Sequence, residues 1–169
     1  MSHYVNVSGA ARKIGARLGA DIPHKAHQIR SADVVDFLKD SAVKQPLYHN
    51  TSTRAKENLL TAGADFERSA TAAYGRGFYL ATAPIKRYGP AEIRVAVDLR
   101  NPLDVDLDEF DLRMNDWGVD PGDPDAVRQA ILAHGHDGLI LRRADLDHRN
   151  NFVDFVVVLL SNTIRIIVD

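Results

Sequence analysis

Phe152-Val153-Asp154-Phe155-Val156-Val157-Val158-Leu159-Leu160, followed after two residues by Thr163-Ile164-Arg165-Ile166-Ile167-Val168, decides the class of fold. Both runs are strand-length and rich in β-branched side chains. Gly138-Leu139-Ile140-Leu141 precedes them, so three strands follow one another with little chain between the last two. Parallel neighbours need a crossover of about a dozen residues or more, usually a helix. This end of the chain therefore reads as antiparallel, and the whole as α+β. The longest apolar run, Phe155–Leu160, is strand-sized and far short of the roughly 20 residues of a membrane span.

Upstream, Glu92–Leu99 alternates, with Ile93, Val95, Val97 and Leu99 on one face. Asp123 is placed to cap a helix over Pro124–His134, with proline at its first position. Between them, the acidic stretch up to Gly122 reads as an insertion with little regular structure. Phe78–Ala81 is a strand entered through Gly75-Arg76-Gly77, and Pro84–Tyr88 is one helical turn broken by Gly89-Pro90. Leu47-Tyr48-His49 is a short strand running into the cap Thr51-Ser52-Thr53. The helix Arg54–Ala62 follows and stops at Gly63. Ser31 is expected to cap a first helix over Ala32–Lys44, its apolar face carrying Val34, Val35, Phe37, Leu38 and Ala42.

The 169 residues suffice for one domain with its own core, and 26% charged with 45% hydrophobic residues is a globular balance. A domain over 31–169 is expected, behind an N-terminal arm over 1–30. That arm is basic, with Arg12, Lys13, Arg17, Lys25 and Arg30 against Asp21, and lacks the apolar core of a secretory signal. It reads as a loosely tied terminus or a targeting segment. With no cysteine, thiolate catalysis, disulfides and Cys-based metal sites are excluded. That absence fits the cytoplasm; the basic arm also fits an exported effector. A net charge of −2 speaks against nucleic acid held by bulk electrostatics.

Three separated segments then carry the chemistry. They are Leu47-Tyr48-His49-Asn50-Thr51-Ser52, then Gly75-Arg76-Gly77-Phe78-Tyr79-Leu80-Ala81-Thr82 with Tyr88, then Asp154-Phe155-Val156-Val157-Val158. In this order they resemble the His–Tyr–Glu group of ADP-ribosyltransferases, which includes diphtheria toxin and the poly(ADP-ribose) polymerases. Gly135-His136-Asp137-Gly138-Leu139-Ile140 is similar to a strand entry found in many members. The resemblance runs from about Pro46 to the end. It implies two packed, mainly antiparallel sheets with a central NAD cleft and flanking helices. The implied activity is mono-ADP-ribosyl transfer from NAD to a macromolecular acceptor, a protein above all, as in toxins, effectors and drug-modifying enzymes. The apolar run lengths and net charge add the expectation of no membrane or nucleic-acid partner.

Cleaving the N-glycosidic bond of NAD calls for aromatic faces around the nicotinamide and a carboxylate beside the developing sugar cation. The resemblance gives those roles to Tyr79 and Tyr88, and to Asp154. His49 would hold the adenosine ribose and the backbone of Asn50 the nicotinamide amide, with Thr51 beside them in the cofactor site, and Thr82 or Ser52 would supply a hydroxyl. Gly75 and Gly77 would admit the ligand close to the backbone. Four positions depart from the family pattern. Asn50 stands for Gly, Ile85 for Ser and Asp154 for Glu, and the Tyr79–Tyr88 interval is short at nine residues. Phe152 stands where arginine-directed relatives carry Gln or Glu. Arg142, Arg143 and Arg149, in the preceding loop, are expected to read the acceptor.

Two rivals come from other classes. A module of the same fold that binds NAD without cleaving it would keep the motifs in weakened form. A metal site would need His134, His136, Asp145, Asp147 and His148 to converge, but they flank a strand, and no metal is expected. An RNA 2′-phosphotransferase would carry His in place of Tyr79 and a basic face.

Overall fold

The computed structural model describes residues 28–64 and 72–169. The N-terminal arm up to residue 27, and residues 65–71, lie outside the described residues. Among the described residues the chain runs β1 (Gln28–Arg30), α1 (Val34–Phe37), β2 (Leu47–Thr51), α2 (Thr53–Ala62), β3 (Phe78–Ala81) and β4 (Ala91–Val97). It continues through β5 (Leu103–Asp106), α3 (Leu107–Asp116), α4 (Pro124–Ala133), β6 (Gly138–Leu146), β7 (Phe152–Val158) and β8 (Ile164–Val168). The class is α+β.

The strands lie in the order β1-β8-β4-β2-β3-β7-β6-β5. Only the two edge pairs, β1 with β8 and β5 with β6, are parallel. All five inner pairings are antiparallel. Where two packed sheets are expected, a single hydrogen-bonded order joins all eight strands, because Tyr48 pairs with Ala81 between β2 and β3.

That sheet curls on itself. In a flat sheet β4 and β6, four positions apart, would be about 19 Å from each other. Yet Leu99, two residues past β4, lies against Gly138 at the start of β6, where a Cβ would come 2.8 Å from its methyls. The concave face so formed is filled from both halves, by Leu47, Ile93, Val95, Val97, Phe78, Leu80, Ile140, Val156 and Val158, with Leu59 and Leu60 of α2 at its margin. The convex face is covered twice. Phe110 and Met114 of α3 and Val127 and Ile131 of α4 pack on Leu139, Leu141 and Val157. Val34 and Leu38 pack on Ala96.

Three sequence expectations change. The first helix is short: a 3₁₀ turn over Ser31–Asp33 leads into α1, and Ser31 caps nothing. Its hydroxyl donates to Asp169 instead. Val35 is 82% exposed, and Ala42 is exposed as well. The acidic stretch is not irregular. It forms β5 and then α3, opened by a capping box in which Asp106 accepts from the Glu109 N–H and Glu109 accepts from the Asp106 N–H. Lastly, Arg142–Leu146 extends β6 rather than lying in a loop.

Candidate functional site

β2 and β3 touch through one residue pair only and then part. Beyond Tyr48, residues His49, Asn50 and Thr51 pair with β4 on one side, opposite Ile93, Glu92 and Ala91. On the other side no strand pairing to β3 continues. β3 meanwhile stays paired with β7, from Phe78 opposite Val158 to Ala81 opposite Phe155. A wedge therefore opens in the middle of the sheet, bounded by His49–Thr51 and Phe78–Leu80.

His49 spans this wedge. Its Nδ1 lies 3.0 Å from the Tyr79 carbonyl oxygen, and its ring sits 4.6 Å from that of Phe78. Burial lowers its pKa below the ordinary histidine value, partly offset by the Tyr79 carbonyl, so the ring is neutral at pH 7. A neutral ring donating from Nδ1 to that carbonyl leaves Nε2 as an acceptor for a hydroxyl.

Asp154 shares the concave side with His49. Val156 and Val158 of the same strand point into the concave core, so Asp154, two and four residues earlier, faces the same way. Two strands of regular spacing across and two residues along would already separate it from His49 by about 12 Å, and the parting of β2 from β3 makes that a lower bound. Its backbone N–H donates to Thr82 Oγ1 at 3.0 Å, and its carbonyl accepts from the Thr82 N–H at 3.1 Å. Both carboxylate oxygens have partners. Oδ2 accepts from Arg142 Nη1 at 2.9 Å and Oδ1 from the Arg143 N–H at 2.8 Å.

Tyr79 is not with them. It alternates with Phe78 and Leu80, so its ring points to the convex side and packs against the cluster beneath α3 and α4. Its hydroxyl donates to the Gly75 carbonyl at 2.6 Å and accepts from the Tyr74 N–H at 2.9 Å. Burial pushes its pKa up to about 12, with the Tyr74 N–H pulling the other way. Here Tyr79 pins the turn that feeds β3.

Gly75 and Gly77 are needed by the protein itself. A Cβ at Gly77 would come 2.5 Å from the Val158 carbonyl oxygen, and one at Gly75 would meet Val127 at 3.0 Å. Gly89, at φ +151°, lies so close to the Thr51 carbonyl group that a Cβ there would sit 2.3 Å from it. Asn50 completes this seam: its Oδ1 accepts from the Ile85 N–H at 2.8 Å and its Nδ2 donates to the Gly89 carbonyl at 3.3 Å. The asparagine in the place of glycine thus fastens the Ile85–Gly89 turn to β2. Tyr88 stands on that turn with 54% of its surface exposed. Its hydroxyl donates to Asp145 Oδ2 at 2.6 Å, and Arg87 pairs with the same carboxylate. Burial works to raise the Asp145 pKa, but the bonds from Tyr88, the Leu146 N–H and Arg87 bring it below the usual carboxylate value.

Sequence reasoning did not connect Asp104 to this region. Arg142 grips it through two bonds, Nε to Oδ1 at 2.7 Å and Nη2 to Oδ2 at 2.6 Å. Only the parallel pairing of β5 with β6 brings the two together. Of the residues expected to read an acceptor, Arg142 is thereby committed. Arg143 lies over the exposed Phe152 ring, 4.2 Å from its centroid.

The residues of the rival metal site do not converge. His134 stacks on Trp117 at 3.8 Å, Asp145 serves Arg87 and Tyr88, and Asp147 accepts from Arg149 and Asn151. Among the described residues no three or more such groups gather, and no helix is long and apolar enough to cross a membrane. Two cavities of about 410 and 180 Å³ open beside α1 and near Arg94; neither is lined by a candidate site residue.

No family model matches the chain, and no curated protein gives a significant match.

Proposed function

We propose that the chain is an NAD-dependent mono-ADP-ribosyltransferase with an ADP-ribosyltransferase-like fold, the wedge between β2 and β3 being its nucleotide cleft. The observation that carries this reading is the wedge itself. One residue pair holds the sheet together, His49 bridges the parted strands, and Asp154 lies on the same concave side two strands across, at least about 12 Å away by strand spacing. Two groups so separated can address the two riboses of one dinucleotide.

In the reaction, the bond between C1′ of the nicotinamide ribose and the ring nitrogen breaks, and its electron pair leaves with nicotinamide. The positive charge that had been on that nitrogen passes to the sugar as an oxocarbenium ion. An acceptor heteroatom then donates a pair to C1′ and loses its proton to solvent or a base. Asp154 stabilises the cation and holds the 2′-hydroxyl, acting mainly in the transition state. His49 Nε2 accepts from the adenosine ribose. Tyr88, exposed on a turn that Asn50 fixes, covers the nicotinamide ring. Tyr79 contributes indirectly, by anchoring the Tyr74–Gly75 turn. The acceptor is a protein side chain.

A second reading has an observation of its own. Both oxygens of Asp154 are engaged, one by a cation, as suits a module that binds NAD without cleaving it. One experiment separates the two. Purified protein is incubated with NAD and released nicotinamide is quantified, for wild type and for Asp154→Asn. Transfer chemistry predicts turnover in wild type and a fall of about 100-fold in the variant with NAD affinity little changed. NAD binding with no nicotinamide release from either protein would leave the binding module as the better account.

A further inference from the structure

The candidate carboxylate is shorter by one methylene than the glutamate that the resemblance implies, and the structure surrounds it with a positioning device. β6 and β7 are in register from Gly138 opposite Val158 to Leu141 opposite Phe155, and again at Asp145 opposite Val153. Arg142, Arg143 and Ala144 therefore lie against Asp154 alone. Arg143 takes the left-handed conformation, φ 54°, to accommodate them. The bulge turns the Arg143 N–H onto Asp154 Oδ1 and brings Arg142 Nη1 to Oδ2. Arg142 is itself immobilised from behind by its two bonds to Asp104, the planar fork that a guanidinium makes with a carboxylate.

We propose that Arg142, fixed by Asp104, is the positioning residue of the Asp154 carboxylate. This inference rests on the NAD-cleaving reading above. A short carboxylate reaches the sugar cation from fewer rotamers than a long one, so holding its plane matters more. Asp104 and the Arg143 N–H supply the hold without touching substrate. Arg142 carries one positive charge between two carboxylates, leaving the trio with a net negative charge toward the cleft. Hydrogen bonding to Asp104, ahead of that to Asp154, raises the already high pKa of the guanidinium.

The test measures nicotinamide release from NAD, with kcat and KM separated, for wild type, Asp154→Asn, Arg142→Ala and Asp104→Asn. Asp98→Asn is the control, since it removes an equally well-formed Arg–Asp fork, with Arg100, away from the cleft. Arg142→Ala should lower kcat about 100-fold and Asp104→Asn about 10-fold, with KM for NAD within about twofold, as expected for a misplaced catalytic group. Guanidinium ion added at tens of millimolar should restore part of the kcat of Arg142→Ala; a purely structural arginine would not respond in this way. Melting curves of the variants confirm folding. If Asp154→Asn is inactive while Arg142→Ala and Asp104→Asn turn over like Asp98→Asn, the positioning role is overturned and the transferase reading stands. If Asp154→Asn releases nicotinamide as fast as wild type, or wild type releases none, the reading itself falls and the positioning role with it.

Discussion

Replacing Gly77 by alanine tests whether this glycine serves a ligand or the fold. The added methyl would lie 2.5 Å from the Val158 carbonyl oxygen, 2.9 Å from a Val157 methyl and 3.2 Å from a Leu159 methyl. An ordinary carbon contact is about 3.5 Å, so backbone must move by about 1 Å. The obstructing oxygen belongs to β7, which pairs on both sides, with β3 and with β6. Overpacking against a backbone held in this way costs about 3 kcal/mol. For a domain of this size that is a fall in melting temperature of about 6–12 °C. Urea unfolding followed by far-UV circular dichroism measures it, with Gly118→Ala for comparison. Gly118 has φ +66° but a Cβ there would meet nothing within 4 Å, so alanine pays only the left-handed strain, about 1–2 kcal/mol. Gly77→Ala should therefore be the less stable of the two. Wild-type stability in Gly77→Ala, accompanied by loss of NAD affinity, would refute the packing argument and return the glycine to the ligand.

Two further outcomes follow from buried groups. Ser41 is 2% exposed, and its Oγ donates to the Val97 carbonyl while accepting from the Val43 and Leu99 N–H groups. Ser41→Ala strands both N–H groups and should cost about 2–4 kcal/mol in urea unfolding, and a loss below about 0.5 kcal/mol would show that they find other partners. His49 has its folded-state pKa lowered by burial, so as pH falls below about 6.5 the unfolded chain takes up a proton that the folded chain resists. The stability linked to His49 is thus fully present above that pH and is lost on acidification. The drop in urea midpoint between about pH 7.5 and pH 5 should be smaller in His49→Gln, and an equal drop in both proteins would contradict the burial argument.

Local signals were legible wherever one residue type had one physical job. Asp123 and Pro124 open α4 as expected, with the aspartate accepting from the Asp125 and Ala126 N–H groups. Gly63, at φ 78°, ends α2. β3 has the bounds read from its sequence. α1 ends early for a reason that is not local. The Ser41 hydroxyl is drawn into the core to bond the chain around Val97 and Leu99, and that diverts the backbone long before Lys44. α3 was hidden by its acids. In a charge count Asp106, Asp108 and Glu109 look like solvated loop, whereas their spacing forms a cap ahead of Phe110 and Met114, which lie one turn apart on the buried face.

The site resisted reading for a different reason, which is parity. Within a strand, alternation says that Tyr79 opposes Phe78 and Leu80, but it cannot say which of those faces His49 shares. That depends on the register between β2 and β3, fixed by the single pair Tyr48–Ala81, and a slip of one residue would have exchanged the faces. An ordered set of motifs carries no register, so it grouped Tyr79 with His49 and Asp154 although the sheet divides them. The same blindness hid the Asp104–Arg142–Asp154 trio. In an unbroken ladder Arg143 would fall opposite Val153. The observed shift between Leu141 and Asp145 leaves three residues of β6 against Asp154 instead. It also turns an N–H that would otherwise lie in the ladder toward the carboxylate. The bulge is marked by an arginine at positive φ, a conformation that no residue preference announces. The carboxylate that accepts from Arg143 is part of what holds it in place. The feature that orients the candidate catalytic group is therefore maintained in part by that group, which is why neither could be read from sequence without the other.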